Sequence, residues 1–189
     1  ALYREKNVHL NRVLCSVSPF EFYRAVFPVG SFERKGEFSD KKGNGLVLRF
    51  EDSGRVLRFT LTDELDALGE ILEYPFAILS PISYFGKSRS GRNARYLYAL
   101  AFDLDGVEMP QLRDVLHQMN KGILPKATFV VNSGTGLHLY YVLRKPVPMY
   151  PQNQKWLREL KYSLTRQIWN RFTSTIKEPQ MQSVLQGFR

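Results

Sequence analysis

One cysteine, Cys15, stands alone in the chain, so neither an intrachain disulfide nor a cysteine-built zinc site can form. A reducing, cytoplasmic setting is the expectation that follows. No run approaches the roughly 18 to 20 apolar residues that a membrane span needs. The first residues carry Arg4, Glu5 and Lys6 where a secretory leader would have its apolar stretch. Internal repeats and low-complexity tracts are lacking, which leaves out repeat arrays. Acid is the scarcer charge, with 18 Asp and Glu against 27 Lys and Arg for a net +9. That excess suits a polyanionic partner and is equally compatible with plain solubility. What remains is 189 residues, 43% hydrophobic and 13% aromatic, enough for one packed domain with a small annex.

Periodicity lays out the elements. Residues 19–29 read as a short helix, and the charged segment 31–45, with three glycines, as a loop. Leu46–Phe50 and Arg55–Leu61 flank Asp52-Ser53-Gly54, a hairpin signal. Thr62 or Asp63 is expected to cap a helix carrying Leu65, Leu68, Ile71 and Leu72. A short buried strand at 76–79 and a basic, glycine-containing stretch at 80–95 lead into the apolar run Tyr96–Phe102. Past Pro110 comes an amphipathic helix with Leu112, Val115, Leu116 and Met119, then strands at 127–131 and 137–143. A long helix from about 152 to 172 places Trp156, Leu160, Leu164 and Ile168 on its core stripe, and Arg158, Lys161, Arg166 and Arg171 away from it. Trp156 and Trp169 are expected in the core, His117 near the surface, and neither His9 nor His117 receives a role. The order suits an α/β or α+β fold.

Two elements carry chemistry. Asp103 and Asp105 close the apolar run one residue apart, so a strand's period of two projects both carboxylates from one face, within about 7 Å. One reading is a pair of solvated carboxylates at a strand end, with Gly106 supplying the next turn; the other is a cradle for a divalent cation, which relieves their repulsion. Asn132-Ser133-Gly134-Thr135-Gly136-Leu137-His138 follows the next strand. Its glycines let backbone approach a ligand, and its N–H groups, hydroxyl and imidazole suit a phosphate. A plain hairpin with an incidental histidine is the competing reading. In the segment 84–95, Lys87, Arg89, Arg92 and Arg95 stand among small residues, either as a solvated loop or as contacts to nucleotide and template phosphates.

These two motifs, in this order, resemble the archaeo-eukaryotic primase superfamily, in particular the primase-polymerase domains of plasmid, phage and mobile-element replication proteins. The resemblance covers roughly residues 75–189, with Gln186-Gly-Phe-Arg189 near the family's third motif. It implies an α+β fold: an RRM-like catalytic core with a mixed β-sheet flanked by helices over 75–189, and a small α/β subregion of the same domain over 1–74, which matches nothing by itself. It implies template-directed nucleotidyl transfer from ribo- or deoxynucleoside triphosphates. Asp103, Asp105 and His138 would be catalytic, and Asp103 and Asp105 would hold two magnesium or manganese ions. Ser133, Gly134, Thr135, Gly136, His138 and Arg95 would bind the nucleotide, and Lys87, Arg89, Arg92, Arg158 and Lys161 the single-stranded DNA template.

A helicase domain or subunit is the implied partner, and the ending Ser183–Arg189 reads as the start of a further element of a longer protein. The departure lies at the third motif. Where the family places an acid, this chain has Gln180, Gln182 and Ser183, with Glu178 the only carboxylate nearby. Either Glu178 substitutes, or a metal ligand is missing, or a second metal is held weakly. Two rivals stand beside this reading. One is a catalytically silent nucleic-acid-binding domain of the same fold. The other is a haloacid dehalogenase-like phosphatase, suggested by Phe102-Asp-Leu-Asp-Gly-Val107, which leaves the Ser133–His138 turn unused.

Overall fold

The computed structural model describes residues 1–37 and 43–189. In chain order its elements are α1 (Leu2–Val13), α2 (Pro19–Val26), β1 (Asn44–Phe50), β2 (Val56–Leu61), α3 (Leu68–Leu72), β3 (Ala77–Tyr84), β4 (Ala94–Leu104), α4 (Met109–Asn120), β5 (Phe129–Asn132), β6 (Leu137–Pro148) and α5 (Pro151–Ile168). The class is therefore α+β, and the six strands form one sheet in the order β2-β1-β3-β4-β6-β5. The pairings β1–β2, β1–β3, β3–β4 and β5–β6 are antiparallel, where the sequence reading expected a mixed sheet. The expected loop at 31–45 lies partly outside the described residues, and its last two positions, Asn44 and Gly45, already belong to β1.

Two compact units share the chain. The first comprises residues 1–17, 100–141 and 156–184. Its core gathers Phe102 and Leu104 of β4, Leu112, Val115 and Met119 of α4, Leu137 and Leu139 of β6, and Leu157 and Ile168 of α5. The α4 residues recur at spacings of three and four, the apolar stripe that drives an amphipathic helix onto a sheet. Helix α1, absent from the sequence-based layout, belongs here. Its only buried residues are Lys6 and Leu10, too little apolar content to announce a helix.

The α5 stripe is rotated by one residue from expectation. Leu157, Lys161, Thr165 and Ile168 face inward, while Trp156 is 57% exposed and not a core residue. Trp169 is buried as expected, and its indole N–H donates to the Ile176 carbonyl at 2.9 Å. A lysine in the middle of the true stripe made the neighbouring row look like the apolar one.

The second unit comprises residues 18–99, 142–155 and 185–189. Ser18 opens α2 with a reciprocal cap. Its Oγ accepts from the Glu21 N–H at 3.2 Å while the Glu21 carboxylate accepts from the Ser18 N–H at 2.7 Å. Phe27, Phe32 and Tyr98 cluster with centroids 4.6 to 6.1 Å apart, Tyr98 edge to face with both phenyl rings and the phenyl rings tilted at 45°. The expected helix after Thr62 shrinks to α3, because Leu65 sits at φ 55 and breaks the run. Asp63 caps nothing there. Its carboxylate accepts from the N–H groups of Gly30 and Phe32 at 2.8 to 3.1 Å and so braces the loop after α2. The terminal segment returns to β3, where Leu79 and Phe188 exchange backbone bonds of 2.9 and 3.0 Å.

Candidate active site

Everything that sequence reasoning tied to metal and phosphate, except the basic residues of 84–95, falls in the first unit. β4 ends at Leu104, so Asp103 is its penultimate residue and Asp105 begins the following loop. The Ser133–Gly136 turn links β5 to β6, and these strands pair from Asn132–Leu137 to Phe129–Tyr140. The turn therefore is a hairpin, yet His138 is anything but incidental. It is buried in β6, with Nε2 3.5 Å from Oδ1 of Asp103.

Gly136 makes that meeting possible. A Cβ on this residue would lie 2.4 Å from the Leu104 carbonyl oxygen and 3.1 Å from the Asp105 Cα. Only a residue without a side chain lets the turn lie directly on the backbone between the two aspartates. Gly134, at φ +101, supplies the turn's reversal. Within the turn the Ser133 N–H donates to the Gly136 carbonyl at 3.3 Å and the Gly134 N–H to Oδ1 of Asn132 at 3.1 Å. Those two donors are committed, and Ser133 and Thr135 are the exposed residues of the turn.

The turn is fastened from α1. Asn132 donates its side-chain amide to the Tyr3 carbonyl at 2.9 Å and to Oδ1 of Asn7 at 2.8 Å. Lys6 is wholly buried and donates its ammonium to the Val107 carbonyl at 3.0 Å and the Gly136 carbonyl at 2.9 Å. One cation thus spans the loop after Asp105 and the glycine turn, and burial pushes its pKa down. Val107 N–H to Thr135 O, at 2.9 Å, closes the same seam. On the other side the Ser174 hydroxyl donates to the Asp105 carbonyl at 2.7 Å, and the Thr175 N–H to the Gly106 carbonyl at 2.8 Å.

Two further residues complete the site. Lys161 was assigned to template phosphates as a surface cation; the structure buries it instead, at 2% exposure. Its ammonium donates to the Ser183 carbonyl at 2.9 Å and lies 5.7 Å from the centre of the Phe102 ring. Gln182 occupies the stretch where the third acid was sought. Its amide donates to the Asp103 carbonyl at 2.6 Å and accepts from the Asp103 N–H at 2.9 Å, pairing with that residue as a neighbouring strand would. Glu178 is exposed.

Electrostatics follow from this packing. Burial, then the neighbouring Asp105 charge, pushes Asp103 up to about 6, against the pull of Lys161. Burial pushes His138 down to about 4, with Asp105 opposing. Lys161 falls to about 8 through burial, with Asp103 opposing. At neutral pH the imidazole is uncharged, the Asp103 carboxylate is mostly ionised and the Lys161 amine is mostly protonated. Among the described residues no three His, Cys, Asp or Glu side chains converge as a complete metal cluster.

The remaining candidates belong to the second unit or to the surface. Lys87 and Arg92 are exposed. Arg89 packs against Gly187, where an added Cβ would meet its guanidinium at 2.7 Å. Arg95 lies over the Phe85 ring at 5.1 Å. Arg158 is half exposed, 3.9 Å from Glu159. Within the first unit the structure gathers Asp103, Asp105, the Ser133–His138 turn and Lys161. Sequence reasoning missed Lys6, Asn132 and the bracing role of Gln182. Only the last left a signal, as an amide where an acid was expected.

Neither a protein-family model nor a curated protein matches the chain. A solved structure does: the archaeo-eukaryotic primase domain of the primase-polymerase of cyanophage S-2L, at TM-score 0.51 and 14% identity, over 82% of this chain and 76% of that one. The likeness is one of fold. No helix among the described residues is long and apolar enough to cross a membrane.

Proposed function

We propose that this chain adds nucleotides to a strand end under the direction of a single-stranded template, as a primase or primase-polymerase domain. The observation that carries the reading is the seating of Gly136 on the Leu104–Asp105 backbone, which puts His138 3.5 Å from Asp103. Two motifs far apart in sequence thereby become one acid-and-phosphate site, and the fold likeness to a primase-polymerase domain supports the same reading. Use in replicating a mobile element, with a helicase alongside, belongs to the proposal and rests on the motif resemblance alone.

The donor set suits one divalent cation better than two. Asp103 and Asp105 stand close enough for the charge of one to raise the other's pKa, Gln182 offers an amide engaged with the backbone, and a buried ammonium already offsets part of the charge. Asp103 and Asp105 would hold a magnesium- or manganese-type ion, which would screen the triphosphate while a 3′-hydroxyl attacks the α-phosphorus and pyrophosphate leaves. The protein's own part is positioning. His138, neutral through burial, offers hydrogen bonding to a phosphate oxygen without adding a charge to the site. Ser133 and Thr135, the exposed residues of the turn, would meet phosphate oxygens. Lys161 steadies Asp103 from the buried side, and Gln182 holds the backbone that aims it. Of the sequence-derived cations, Lys87, Arg92 and Arg158 are the ones exposed enough for a strand to reach.

The test is template-directed incorporation of nucleotides with magnesium or manganese, on the parent and on Asp103→Asn and Asp105→Asn. Loss of extension in both variants, with folding intact, is the expected result; extension equal to the parent rules the site out. A second reading has its own support in Gln182 and Lys161: a silent nucleic-acid-binding domain, which would bind strands with steep salt dependence and never extend them. Hydrolysis of a phosphomonoester without template would instead favour the phosphatase.

A further inference from the structure

Helix α1 has two faces. Tyr3, Lys6, Asn7 and Leu10 lie on the side that fastens the glycine turn or is buried, as the preceding bonds show. The opposite side, together with the start of α4, lines a groove of about 460 Å³. Its lining carries Arg4, Val8, His9 and Arg12 from α1 and Met109 and Arg113 from α4. Glu5 is the one acid in the lining, so the three arginines leave a net +2. None of these guanidinium groups has a hydrogen bond or ion pair among the described residues, and all three are exposed. Three arginines thus line one cavity with no acid paired to them among the described residues.

We propose that this groove between α1 and α4 binds the phosphate backbone of a single-stranded nucleic acid. The chemistry fits a strand better than an isolated anion. Arg4 and Arg12 are separated by about 12 Å along the helix, more than one phosphate interval of a strand. A planar guanidinium pairs two phosphate oxygens at once. Val8, 53% exposed, and the thioether of Met109 line the same groove and offer an apolar seat for a base. The groove also shares α1 with the clamp on Gly136 and begins a few residues after Asp105, so a strand held here lies along the element that fixes the site. The proposal takes from the proposed function only that the partner is a nucleic acid, and it adds where the strand runs.

The experiment is anisotropy of a labelled oligothymidylate with the intact chain, without nucleotide and with chelator, across a salt series. The variants are Arg4→Ala/Arg12→Ala/Arg113→Ala and, separately, Arg113→Glu, which leaves α1 untouched. The triple variant is expected to bind at least tenfold more weakly at low salt. Its plot of log affinity against log salt is expected to be shallower by about 2, at roughly 0.7 per lost phosphate contact. Arg113→Glu is expected to weaken binding severalfold with an unchanged circular dichroism spectrum. Parent-like affinity and slope in both variants overturn the groove and leave nucleotidyl transfer standing. Failure of the parent chain to extend a primed template, with the variants losing strand binding as expected, upholds the groove and sinks the proposed reaction. Competition by polyglutamate or inorganic triphosphate as strong as by the oligonucleotide, charge for charge, also overturns a strand as the occupant.

Discussion

Lys161→Met removes a buried ammonium while keeping most of its volume. The lysine's pKa is lowered from 10.5 to about 8, chiefly by burial. At 1.36 kcal/mol per pH unit that difference corresponds to about 3 kcal/mol of unfavourable free energy for holding the charge inside at neutral pH. That net figure already includes the opposing attraction to Asp103, and against it stands the bond to the Ser183 carbonyl, worth about 1 to 3 kcal/mol as a charged hydrogen bond. These oppose each other, so the variant is expected within about 2 kcal/mol of the parent at pH 7.

The sharper outcome is in the pH dependence of that variant. Between pH 8 and 10.5 the unfolded chain holds more protons at this amine than the folded one, so parent stability rises through that window by about 3 kcal/mol. The variant lacks this gain. Urea unfolding of both proteins at pH 7 to 10.5 measures it, and their difference cancels contributions from tyrosines such as Tyr84 and Tyr141, which burial pushes to about 12 in both. Parallel pH profiles would refute the account of Lys161 as a buried charge.

Other perturbations read other joints of the site. Gly136→Ala puts a methyl 2.4 Å from the Leu104 carbonyl, a backbone atom that cannot swing away; thermal unfolding should show a loss of about 2 kcal/mol or more, in line with overpacking, and triphosphate affinity should fall further than strand affinity. Lys6→Met leaves the Val107 carbonyl without its ammonium, whereas the Gly136 carbonyl keeps the Ser133 N–H. A stability loss of about 1 to 3 kcal/mol is expected from that buried acceptor, together with weaker nucleotide binding by equilibrium titration. Metal binding should compete with a proton on Asp103, since its pKa stands near 6; manganese affinity by titration calorimetry should fall about tenfold per pH unit below that value, and a flat profile down to pH 4.5 would exclude Asp103 as a ligand.

Proton traffic between Asp103 and His138 has a consequence for stability as well. The aspartate's raised pKa takes stability away as pH climbs from about 4 to 6, while the histidine's lowered pKa adds stability over nearly the same range. The two slopes oppose, so the pair contributes little net pH dependence between pH 4 and 6.

The parts of this molecule that were legible in its sequence obey a local rule. The hairpin of β1 and β2 follows from alternation around Asp52-Ser53-Gly54, and α4 from the spacing of Leu112, Val115 and Met119. Asp103 and Asp105 stood out as two like charges closing an apolar run, although the strand ends at Leu104 and leaves Asp105 in the loop. What escaped was settled by distant partners. Lys6 goes inside because carbonyls 101 and 130 residues away accept from it, and no window of the chain around it contains that information. Lys161 was read as outward for the same reason, and it carried the whole α5 stripe one position astray. Asp63 looked like a helix cap, since that is what Asp before leucines usually does, but its acceptors were spent on Gly30 and Phe32.

The amide at position 182 forecloses a simple repair of the missing acid. Gln182 both gives and takes a hydrogen bond at the Asp103 peptide, and a carboxylate can only take. Gln182→Glu would therefore strip the donor from one backbone oxygen while crowding a third negative charge beside two others. Support for the strand and a three-carboxylate metal nest are competing uses of one location, and a descendant of this chain could move from the first to the second only by finding another way to hold β4 in line.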